Sequence, residues 1–432
     1  MSHRFSVAFV LVCASCLGAQ AGETAGFPWI DASGVRAPVL LCAAEPADNV
    51  RQQFEKLADG KPGRIVVIRE KNGDRGVPAE LTNVIVRAGE LNDAEKSEIA
   101  AALAQRPEQF AVWLSPQAAL AVYDRRLHCL GEGNVTIFLP ASPGRPLRQI
   151  ELKPGMPHDL TMLRRAAVER SLGNFPPIAP PVPNVSSGTL LIHGGGEMPK
   201  DVTDRFIELA GGPDAPIVVL PIAAEGSLPE DESRDTRVWT RVGAKNVRSL
   251  RARSRAEVES PEFAAAIENA KAVWFSGGRQ WRFVDAYMGT KAEELFRGVL
   301  ARGGVIGGSS AGASIQSQYM PRGSALGNTD MMAEGYERGL GFLPGAAVDQ
   351  HFTQRKRHGD MTALMRRYPQ ILGIGLDEGT AIVVSGSAAQ VIGRGGVHFY
   401  DYRTGQPAGA EDFALVRAGE RYDLAGRSVV EQ

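Results

Sequence analysis

The sequence predicts an α/β protein with a mostly parallel, doubly wound sheet in its C-terminal part and a smaller accessory domain in its N-terminal part. Two observations lead to this class. Short apolar runs alternate with helical patterns after residue 185, and a proline-rich stretch separates them from the preceding chain. The 432 residues are enough for two or three domains. A hydrophobic content of 44% with 22% charged residues excludes disorder of the whole chain.

The positive and negative charges of the chain nearly cancel, and this balance argues against partners that bind through a strongly basic surface. Lys and Arg total 48 and Asp and Glu total 49, so no basic field covers the surface and we expect no nucleic-acid partner. A local basic pocket is still allowed. The oligomeric state stays open, a homodimer included.

The first residues resemble a signal peptide, which we place at residues 1–21. His3 and Arg4 precede an apolar run over residues 5–17, and Ala19–Ala21 has the small-x-small pattern of a cleavage site. The run is too short to cross a bilayer, and no other membrane segment is visible. We therefore expect export to the periplasm or the outside of the cell. The alternative is a buried N-terminal helix.

Removal of that segment leaves two cysteines, Cys42 and Cys129. In an exported protein they could form one disulfide, and two buried thiols are the alternative. No Cys/His spacing resembles a zinc site, so no metal is predicted.

A stiff linker divides the mature chain. Five prolines within Phe175–Asn184 oppose a helix interior and a central strand. We place an accessory α/β domain at 22–175, the linker at 176–184 and a second domain at 185–432.

The accessory domain contains a few clear elements. Asn92 is a predicted cap for a helix that runs to Gln105, with Glu95 three residues after the cap. The predicted strands are Arg64–Ile68, Thr82–Val86 and Val135–Leu139.

The second domain alternates strands and helices. Its strands are apolar throughout, as expected where helices cover both faces of a sheet. They are Thr189–His193, Ile217–Leu220, Ala272–Phe275, Gly304–Ile306 and Ile371–Leu376. The predicted helices are Asp201–Ala210, Ser260–Ala270 and Lys291–Ala301. Ligands of such sheets bind beyond the carboxyl ends of the strands. The candidate functional residues come directly after such strands in the sequence.

Ser310 is the candidate nucleophile. A buried strand leads into Gly308–Gly312, a G-x-S-x-G motif that exposes the central hydroxyl at a sharp strand-to-helix turn. The N–H of Ala311 would then face a developing oxyanion. The alternative is a glycine-rich turn or phosphate cradle without covalent chemistry.

A serine nucleophile needs a base, and the base needs an orienting group. His351 lies among polar and charged neighbours after an apolar run, and Asp377 and Glu378 end another buried strand. Either carboxylate could accept from His351 and set its tautomer. The other is expected to be a turn or cap residue.

Further polar residues follow a third strand. Gly277 and Gly278 allow close approach of the backbone and could donate N–H groups, while Gln280 offers an amide. The run from His193 to Glu197 lacks the spacing of a dinucleotide loop, so we interpret it as a structural turn near the site.

Arg355 and Arg357 provide a local basic pocket for an anionic group, with a solvated helix face as the alternative.

Together these segments resemble the cyanophycinase family of serine peptidases, within the wider peptidase E group. The resemblance covers residues 186–432, in the family's order, and it rests on Phe275–Gln280, Gly307–Ala313, Asp349–Arg355 and Gly373–Glu378. It implies a fold like that of class I glutamine amidotransferases, with serine in place of cysteine. It implies no metal or organic cofactor. Arg279 departs from the family, which often has Asp or a small polar residue there.

By motif position the resemblance implies that Ser310 is the nucleophile, His351 the base and Glu378 the third member of the triad. It also implies five residues that contact substrate: Gln280, Asp349, Gln350, Arg355 and Arg357. The family hydrolyses cyanophycin, a polyaspartate with arginine on its side chains. Two alternatives are an aspartyl dipeptidase of peptidase E type and a catalytically silent binding protein on the same scaffold.

Overall fold

The computed structural model describes residues 27–68, 77, 79–81, 83–156, 158–407 and 411–431. The predicted signal peptide at residues 1–21 lies outside these ranges. Within them, no helix is both long and apolar enough to cross a membrane.

The N-terminal part contains two sheets. One has the strand order β2-β1-β5-β6-β9 and the other β3-β4-β7-β8. The strands are β1 (Val35–Cys42), β2 (Arg64–Val67), β3 (Val84–Ala88), β4 (Phe110–Leu114), β5 (Ala118–Asp124), β6 (Arg126–Gly131), β7 (Val135–Leu139), β8 (Arg148–Leu152) and β9 (His158–Asp159). The helices are α1 (Asp48–Ala58), α2 (Asp93–Gln105) and α3 (Leu160–Ser171), with a 3-10 turn at Ala79–Leu81.

Local sequence signals explain where several of these elements begin. The side chain of Asn92 accepts a hydrogen bond from the N–H of Glu95, which confirms the predicted cap of α2. The predicted strands that begin at residues 64 and 135 are present as β2 and β7, and the strand predicted at 82–86 is present as β3 from Val84, with residue 82 outside the described residues.

The two cysteines are buried free thiols. Cys42 on β1 belongs to the apolar cluster that includes Val50 and Phe54 of α1, whereas Cys129 on β6 packs into a different cluster with Leu120 and Leu163. The two side chains therefore serve separate cores and form no disulfide.

The C-terminal part also contains two sheets. The larger has nine strands in the order β12-β11-β13-β14-β10-β18-β19-β22-β23, and the smaller has the order β15-β16-β17-β20-β21. The strands are β10 (Val185–His193), β11 (Ile217–Leu220), β12 (Val247–Ser249), β13 (Ala272–Phe275), β14 (Val305–Ser309), β15 (Ser317–Tyr319), β16 (Leu343–Asp349), β17 (Leu372–Leu376), β18 (Thr380–Gly386), β19 (Ala388–Gly393), β20 (Gly396–Asp401), β21 (Ala414–Arg417), β22 (Arg421–Asp423) and β23 (Ser428–Val430). The helices are α4 (Lys200–Ala210), α5 (Ser233–Arg241), α6 (Arg255–Val258), α7 (Pro261–Asn269), α8 (Trp281–Tyr287), α9 (Lys291–Ala301), α10 (Ala311–Ser314) and α11 (His358–Arg367).

The parallel half of the larger sheet is packed on both faces. Along β13, Val273 and Phe275 join the cluster that contains α7, α8 and α9 residues, while Ala272 and Trp274 join the cluster around Phe206 of α4. This alternation explains why the strands are apolar at every position, and it confirms the predicted helical cover.

The prediction of a mostly parallel sheet is correct only for this half. Strands β12, β11, β13, β14 and β10 are parallel, but β18, β19, β22 and β23 continue the sheet in antiparallel fashion. The predicted strand at 371–376 is β17 of the smaller sheet instead. The protein is therefore a mixed α/β protein with several sheets. Phe175–Asn184, which lies between the two pairs of sheets, has no helix or strand.

Candidate active site

The turn after β14 places Ser310 in a partly exposed position with a strained backbone. Ser310 has φ 55° and ψ −111°, which an L-residue rarely adopts. Its N–H donates to the carbonyl of His193 at 3.1 Å. Gly312 allows the turn to pack, because a Cβ on it would lie 1.9 Å from the carbonyl oxygen of Phe275. The G-x-S-x-G pattern is therefore required by close backbone contacts.

A histidine and a carboxylate lie in series behind that hydroxyl. The Nε2 of His351 is 2.9 Å from the Oγ of Ser310, and its Nδ1 is 2.6 Å from an oxygen of Glu378. The three residues follow the carboxyl ends of β14, β16 and β17. The structure thus brings together the three side chains that the sequence placed 41 and 27 residues apart.

Burial controls the basicity of His351. The side chain is largely buried, and burial lowers its pKa, while the hydrogen bond that its Nδ1 donates to Glu378 acts in the opposite direction. The positive charge of Arg355 lowers the pKa further. His351 is therefore biased toward the neutral form, which is the form that can accept a proton from a serine.

The two adjacent carboxylates have different tasks. Glu378 faces His351, whereas Asp377 accepts from the N–H groups of Thr353 and Gly396 and lies 3.4 Å from the imidazole of His398. Burial opposes ionisation of Asp377, but these hydrogen bonds prevail and lower its pKa to about 2. Asp377 therefore anchors the loop that carries Glu378.

The glycine loop after β10 packs directly on the triad. The carbonyl of Gly194 accepts from the N–H of His351 at 2.8 Å. A Cβ on Gly195 would lie 2.4 Å from the imidazole ring of His351, and a Cβ on Gly196 would lie 2.9 Å from the side chain of Glu378. The predicted structural turn is thus the wall against which the histidine and the glutamate are held.

His193 belongs to the site, although the sequence placed it only in that turn. It is fully buried, and its Nδ1 lies 2.9 Å from the Oγ of Ser309. Burial, reinforced by the charge of His351, lowers the pKa of His193 to about 4. Its position immediately before three glycines was the available signal.

The backbone N–H groups predicted to hold an oxyanion lie around Ser310. The Cβ position of Gly277 is 3.5 Å from the Cβ of Ser310, and Ala311 begins α10 directly after it. Gly278 has φ 136°, and a Cβ on it would lie 2.0 Å from the carbonyl oxygen of Ala223. In the part of the chain that the structure describes, the N–H groups of Gly278 and Ala311 find no acceptor.

A cavity of about 250 Å³ opens beside Ser310, and four arginines line it together with Gln280, Gln350, Asn328 and Glu225. Arg355 is exposed, and its guanidinium makes no hydrogen bond or ion pair with other described residues, while its backbone N–H donates to the carbonyl of His351. The Oε1 of Gln350 is buried and has no partner in this described region. These two groups are available to a ligand.

The other predicted substrate contacts are partly occupied within the protein. Asp349 is fully buried and holds the guanidinium groups of Arg322 and Arg357 at 3.0 and 2.6 Å. It therefore positions the arginines, and the direct substrate contact expected of it does not fit this burial. Gln280 donates through Nε2 to the carbonyls of Pro321 and Arg322.

The protein itself also supplies partners to the guanidinium groups of Arg357, Arg322 and Arg279. Arg357 is buried, which lowers its pKa, and it bonds the carbonyl of Gln350. Arg322, which no signal in the sequence indicated, has φ 59° and forms an ion pair with Asp360 as well as with Asp349. Arg279 donates to the carbonyls of Ser324 and Gly327, so it braces a loop at the cavity rim.

Among the described residues, no group of three or more His, Cys, Asp or Glu side chains is arranged to hold a metal ion.

Comparison with known proteins identifies the family of this chain. The profile of peptidase family S51 matches residues 189–392. A cyanophycinase from Geminocystis herdmanii is 33% identical over 220 residues, which are 49% of this chain and 80% of the relative. A cyanophycinase from Trichormus variabilis is 30% identical over 268 residues, which are 57% of this chain and 89% of the relative.

Among solved structures, a peptidase from an acI-B1 actinobacterium is 25% identical with a TM-score of 0.43, over 55% of this chain and 98% of that one. The family assignment rests on the sequence relatives and the profile. This chain spans 80% of a relative with which it shares 33% identity, and it belongs to peptidase family S51, a family of serine-type peptidases.

Proposed function

We propose that this protein is an exported serine peptidase of cyanophycinase type that hydrolyses cyanophycin or related β-aspartyl linkages through an acyl-enzyme. One observation carries the proposal. A serine in a strained turn, an imidazole and a carboxylate lie in series at 2.9 and 2.6 Å. This is the geometry of a nucleophile, its base and the group that orients the base.

In the proposed mechanism, Ser310 Oγ attacks the carbonyl carbon of the scissile amide while His351 Nε2 takes its proton. The carbonyl oxygen becomes an oxyanion, for which the N–H groups of Ala311 and Gly278 are the donors. The tetrahedral intermediate collapses as the C–N bond breaks, and protonated His351 gives its proton to the leaving amine. Water, deprotonated by His351, then attacks the acyl-enzyme. The second tetrahedral intermediate collapses as the bond to Ser310 Oγ breaks, and His351 returns its proton to that oxygen, which releases the acid and regenerates Ser310. Glu378 stabilises the imidazolium in both steps.

The cavity beside Ser310 supports a substrate with an acidic residue at the cleaved bond. Arg355 offers an unpaired guanidinium, which binds carboxylates well, and the buried oxygen of Gln350 accepts from an amide N–H or a guanidinium. Glu225, at the same rim, carries the charge that an arginine side chain of the substrate would seek. These groups suit a β-aspartyl-arginine unit, and the similarity to two cyanophycinases points in the same direction.

The experiment compares Ser310→Ala with Ser309→Ala on purified protein. Both lose one hydroxyl in the same turn, but only Ser310 lies against His351. We expect S310A to lower kcat on cyanophycin by about three to six orders of magnitude and to leave binding largely intact. We expect S309A to retain most of the turnover. Near-normal turnover by S310A would refute the assignment.

A substrate panel identifies the activity. The wild type should cleave cyanophycin and β-aspartyl-arginine repeats faster than peptides with an N-terminal α-aspartyl residue. The reverse order would indicate an aspartyl dipeptidase of peptidase E type. Absence of cleavage throughout the panel, together with absence of labelling by a fluorophosphonate probe, would favour the silent binding protein.

We also propose export with cleavage after Ala21, because of the apolar run and small-x-small site in the sequence. Production of the full chain in a Gram-negative host, followed by fractionation and N-terminal sequencing, tests it. A periplasmic or secreted product that begins at Gly22 is expected. A cytoplasmic product with an intact N-terminus would contradict it.

A further inference from the structure

A second cavity, about 740 Å³ in volume, is built jointly by the two parts of the chain. The N-terminal segment contributes Trp29 and Asp31, and the N-terminal sheets contribute Arg125. The C-terminal part contributes Arg253 and the first turns of α8. We call it the joint cavity. The S51 match begins at residue 189, so one wall lies outside the matched region.

The joint cavity and the active-site cavity share two walls. Glu225 lines the active-site cavity, and the next residue, Gly226, lines the joint cavity. In the same way, Gln280 faces the active site and the neighbouring Trp281 faces the joint cavity. A chain that left the active-site cavity over the 222–226 loop would therefore meet the joint cavity next.

The joint cavity carries excess positive charge. Four arginines line it, against two aspartates, Asp31 and Asp285. Arg125 is fully paired, since it binds both Asp159 and Asp285. Arg255 pairs with Glu259.

The remaining two arginines, Arg253 and Arg282, lack a carboxylate partner among the described residues. Arg253 donates to the carbonyl of Ile222, and Arg282 donates to the carbonyl of Ala224. The Nε of Arg282 is buried and bonds to nothing in the described structure. Burial and the charge of nearby Arg253 lower the pKa of Arg282, as expected where positive charge is not neutralised.

The guanidinium groups of three arginines lie over the indole rings of two tryptophans. The guanidinium of Arg255 lies 5.1 Å from the ring centre of Trp29, and those of Arg125 and Arg282 lie 4.8 and 5.2 Å from that of Trp281. Such stacking orders the guanidinium planes before a ligand arrives. It also leaves aromatic surface for the methylene groups of a peptide.

We propose that the joint cavity is a second subsite that binds the carboxylates of a long aspartyl peptide chain whose next residues occupy the cavity beside Ser310. The proposal deepens the proposed function and rests on it, because the same chain would be cleaved at Ser310. The remaining donors of Arg253 and Arg282, which pair with no carboxylate among the described residues, would bind the carboxylates. Trp29 would place the N-terminal part in contact with the substrate and so give that part a role in choosing long chains.

Kinetics with substrates of two lengths test the subsite. The variant Arg253→Gln/Arg282→Gln should raise KM for a decameric β-aspartyl-arginine chain by roughly three- to thirtyfold, since each exposed ion pair contributes modestly. KM for the dimeric unit and kcat for both should not change. Arg205→Gln, an exposed arginine of α4 paired with Glu208, is the matched control and should behave as the wild type.

Both arginines also hold the 222–226 loop, so a second variant approaches from the opposite wall. Trp29→Ala leaves that loop untouched and should again weaken only the long substrate. Equal losses on both lengths in both variants would show a disturbed fold or active site and overturn the proposal. No loss on the long substrate in either variant would overturn it as well.

Binding to the S310A protein separates this proposal from the proposed function. Polyaspartate should change the fluorescence of Trp29 and Trp281, and Trp29→Phe/Trp281→Phe should abolish the change. If the wild type cleaves no peptide but this binding persists, the proposed function fails and the subsite stands. An unchanged signal, or equally tight binding of polyphosphate and oligonucleotides, would overturn recognition of acidic peptides.

Discussion

Two charged regions of this protein use arginine in opposite ways: the cavity beside Ser310 and the contact between the N-terminal and C-terminal parts. We call the second region the interface cluster, and it consists of Arg145, Arg170, Arg338, Glu169, Glu334 and Glu337. In the interface cluster every arginine meets a glutamate of the other part: Arg338–Glu169 at 2.6 Å, Arg145–Glu337 at 2.9 Å and Arg170–Glu334 at 2.5 Å. Beside Ser310, by contrast, Arg355 meets no carboxylate in the described chain.

A buried or half-buried arginine can have one of two roles, and the use of its N–H donors distinguishes them. A guanidinium whose donors are used inside the protein stabilises one arrangement of the chain, and its loss leaves a carboxylate buried without a partner. A guanidinium that is held in place but keeps free donors is available to an anion. Activity and stability should therefore respond to different residues in the two regions.

The largest expected effect separates chemistry from stability. Glu378→Gln keeps the shape of the side chain but no longer stabilises protonated His351, so kcat should fall by about three to four orders of magnitude. The melting temperature should change little, because Glu378 is partly exposed and belongs to no buried ion cluster. Glu197→Gln, an exposed glutamate in the adjacent glycine loop, is the control and should keep full activity.

The reverse behaviour is expected in the interface cluster. Arg338→Ala leaves Glu169, which is 1% exposed, without its partner, and should lower the free energy of unfolding by about 3 kcal/mol. The guanidinium also lies 3.8 Å from the ring centre of Phe175, and this contact is lost too. Denaturant unfolding measures the change.

Arg394→Ala removes an exposed pair with Glu197 and should cost less than about 1 kcal/mol. The kcat of folded R338A should match the wild type. A large loss of kcat in the folded fraction would mean that the interface cluster takes part in the chemistry, and the contrast between the regions would break down.

The third effect concerns the wall behind the triad. Gly195→Ala places a methyl group within 2.5 Å of the His351 ring, so the imidazole must move and kcat should fall by about two orders of magnitude. Gly211→Ala is the matched control, since its φ of 104° resembles the 98° of Gly195 but nothing lies within 4 Å of the added Cβ. Both variants bear the backbone strain, and only G195A bears the clash. Equal activities would show that His351 is not held by this loop.

Much of this arrangement was predictable from local signals. Continuous apolar runs predicted β11 and β13 with correct ends, and the cap at Asn92 predicted the start of α2. Ser310 was predictable because small neighbours on both sides mark a sharp turn. These features depend on residues that are close in the chain.

The features that were missed depend on distant residues. Nothing local shows that β17 leaves the larger sheet, because an apolar strand looks alike in either sheet. Arg322 reaches Asp349 from a loop 27 residues away, so the pairing that buries Asp349 had no sequence signal. The residues alone left the choice between Asp377 and Glu378 open, because it depends on which carboxylate faces His351 and which receives the N–H of Gly396. Only the family resemblance pointed to Glu378.

The smallest expected effect is on the pH dependence of kcat/KM, which the charge of Arg355 should influence. Burial lowers the pKa of His351, so the acidic limb of kcat/KM should lie below the ordinary histidine value of about 6.5, and activity should be lost only as pH falls through that lowered value. Arg355 contributes to this lowering, because its charge opposes protonation of the imidazole. Arg355→Gln should therefore move the limb toward higher pH, and added salt should reduce the difference between the variant and the wild type because it screens the charge.

The neighbouring Lys356 is the matched control for that shift, since it is exposed and is not among the groups that perturb His351. Lys356→Gln should leave the limb in place, whereas Arg355→Gln should shift it and also raise KM for an acidic substrate. If the limb stayed fixed while KM rose, Arg355 would bind substrate without influencing the base. If the two variants shifted the limb equally, the effect would come from overall charge, and the unpaired arginine beside Ser310 would have no special electrostatic role.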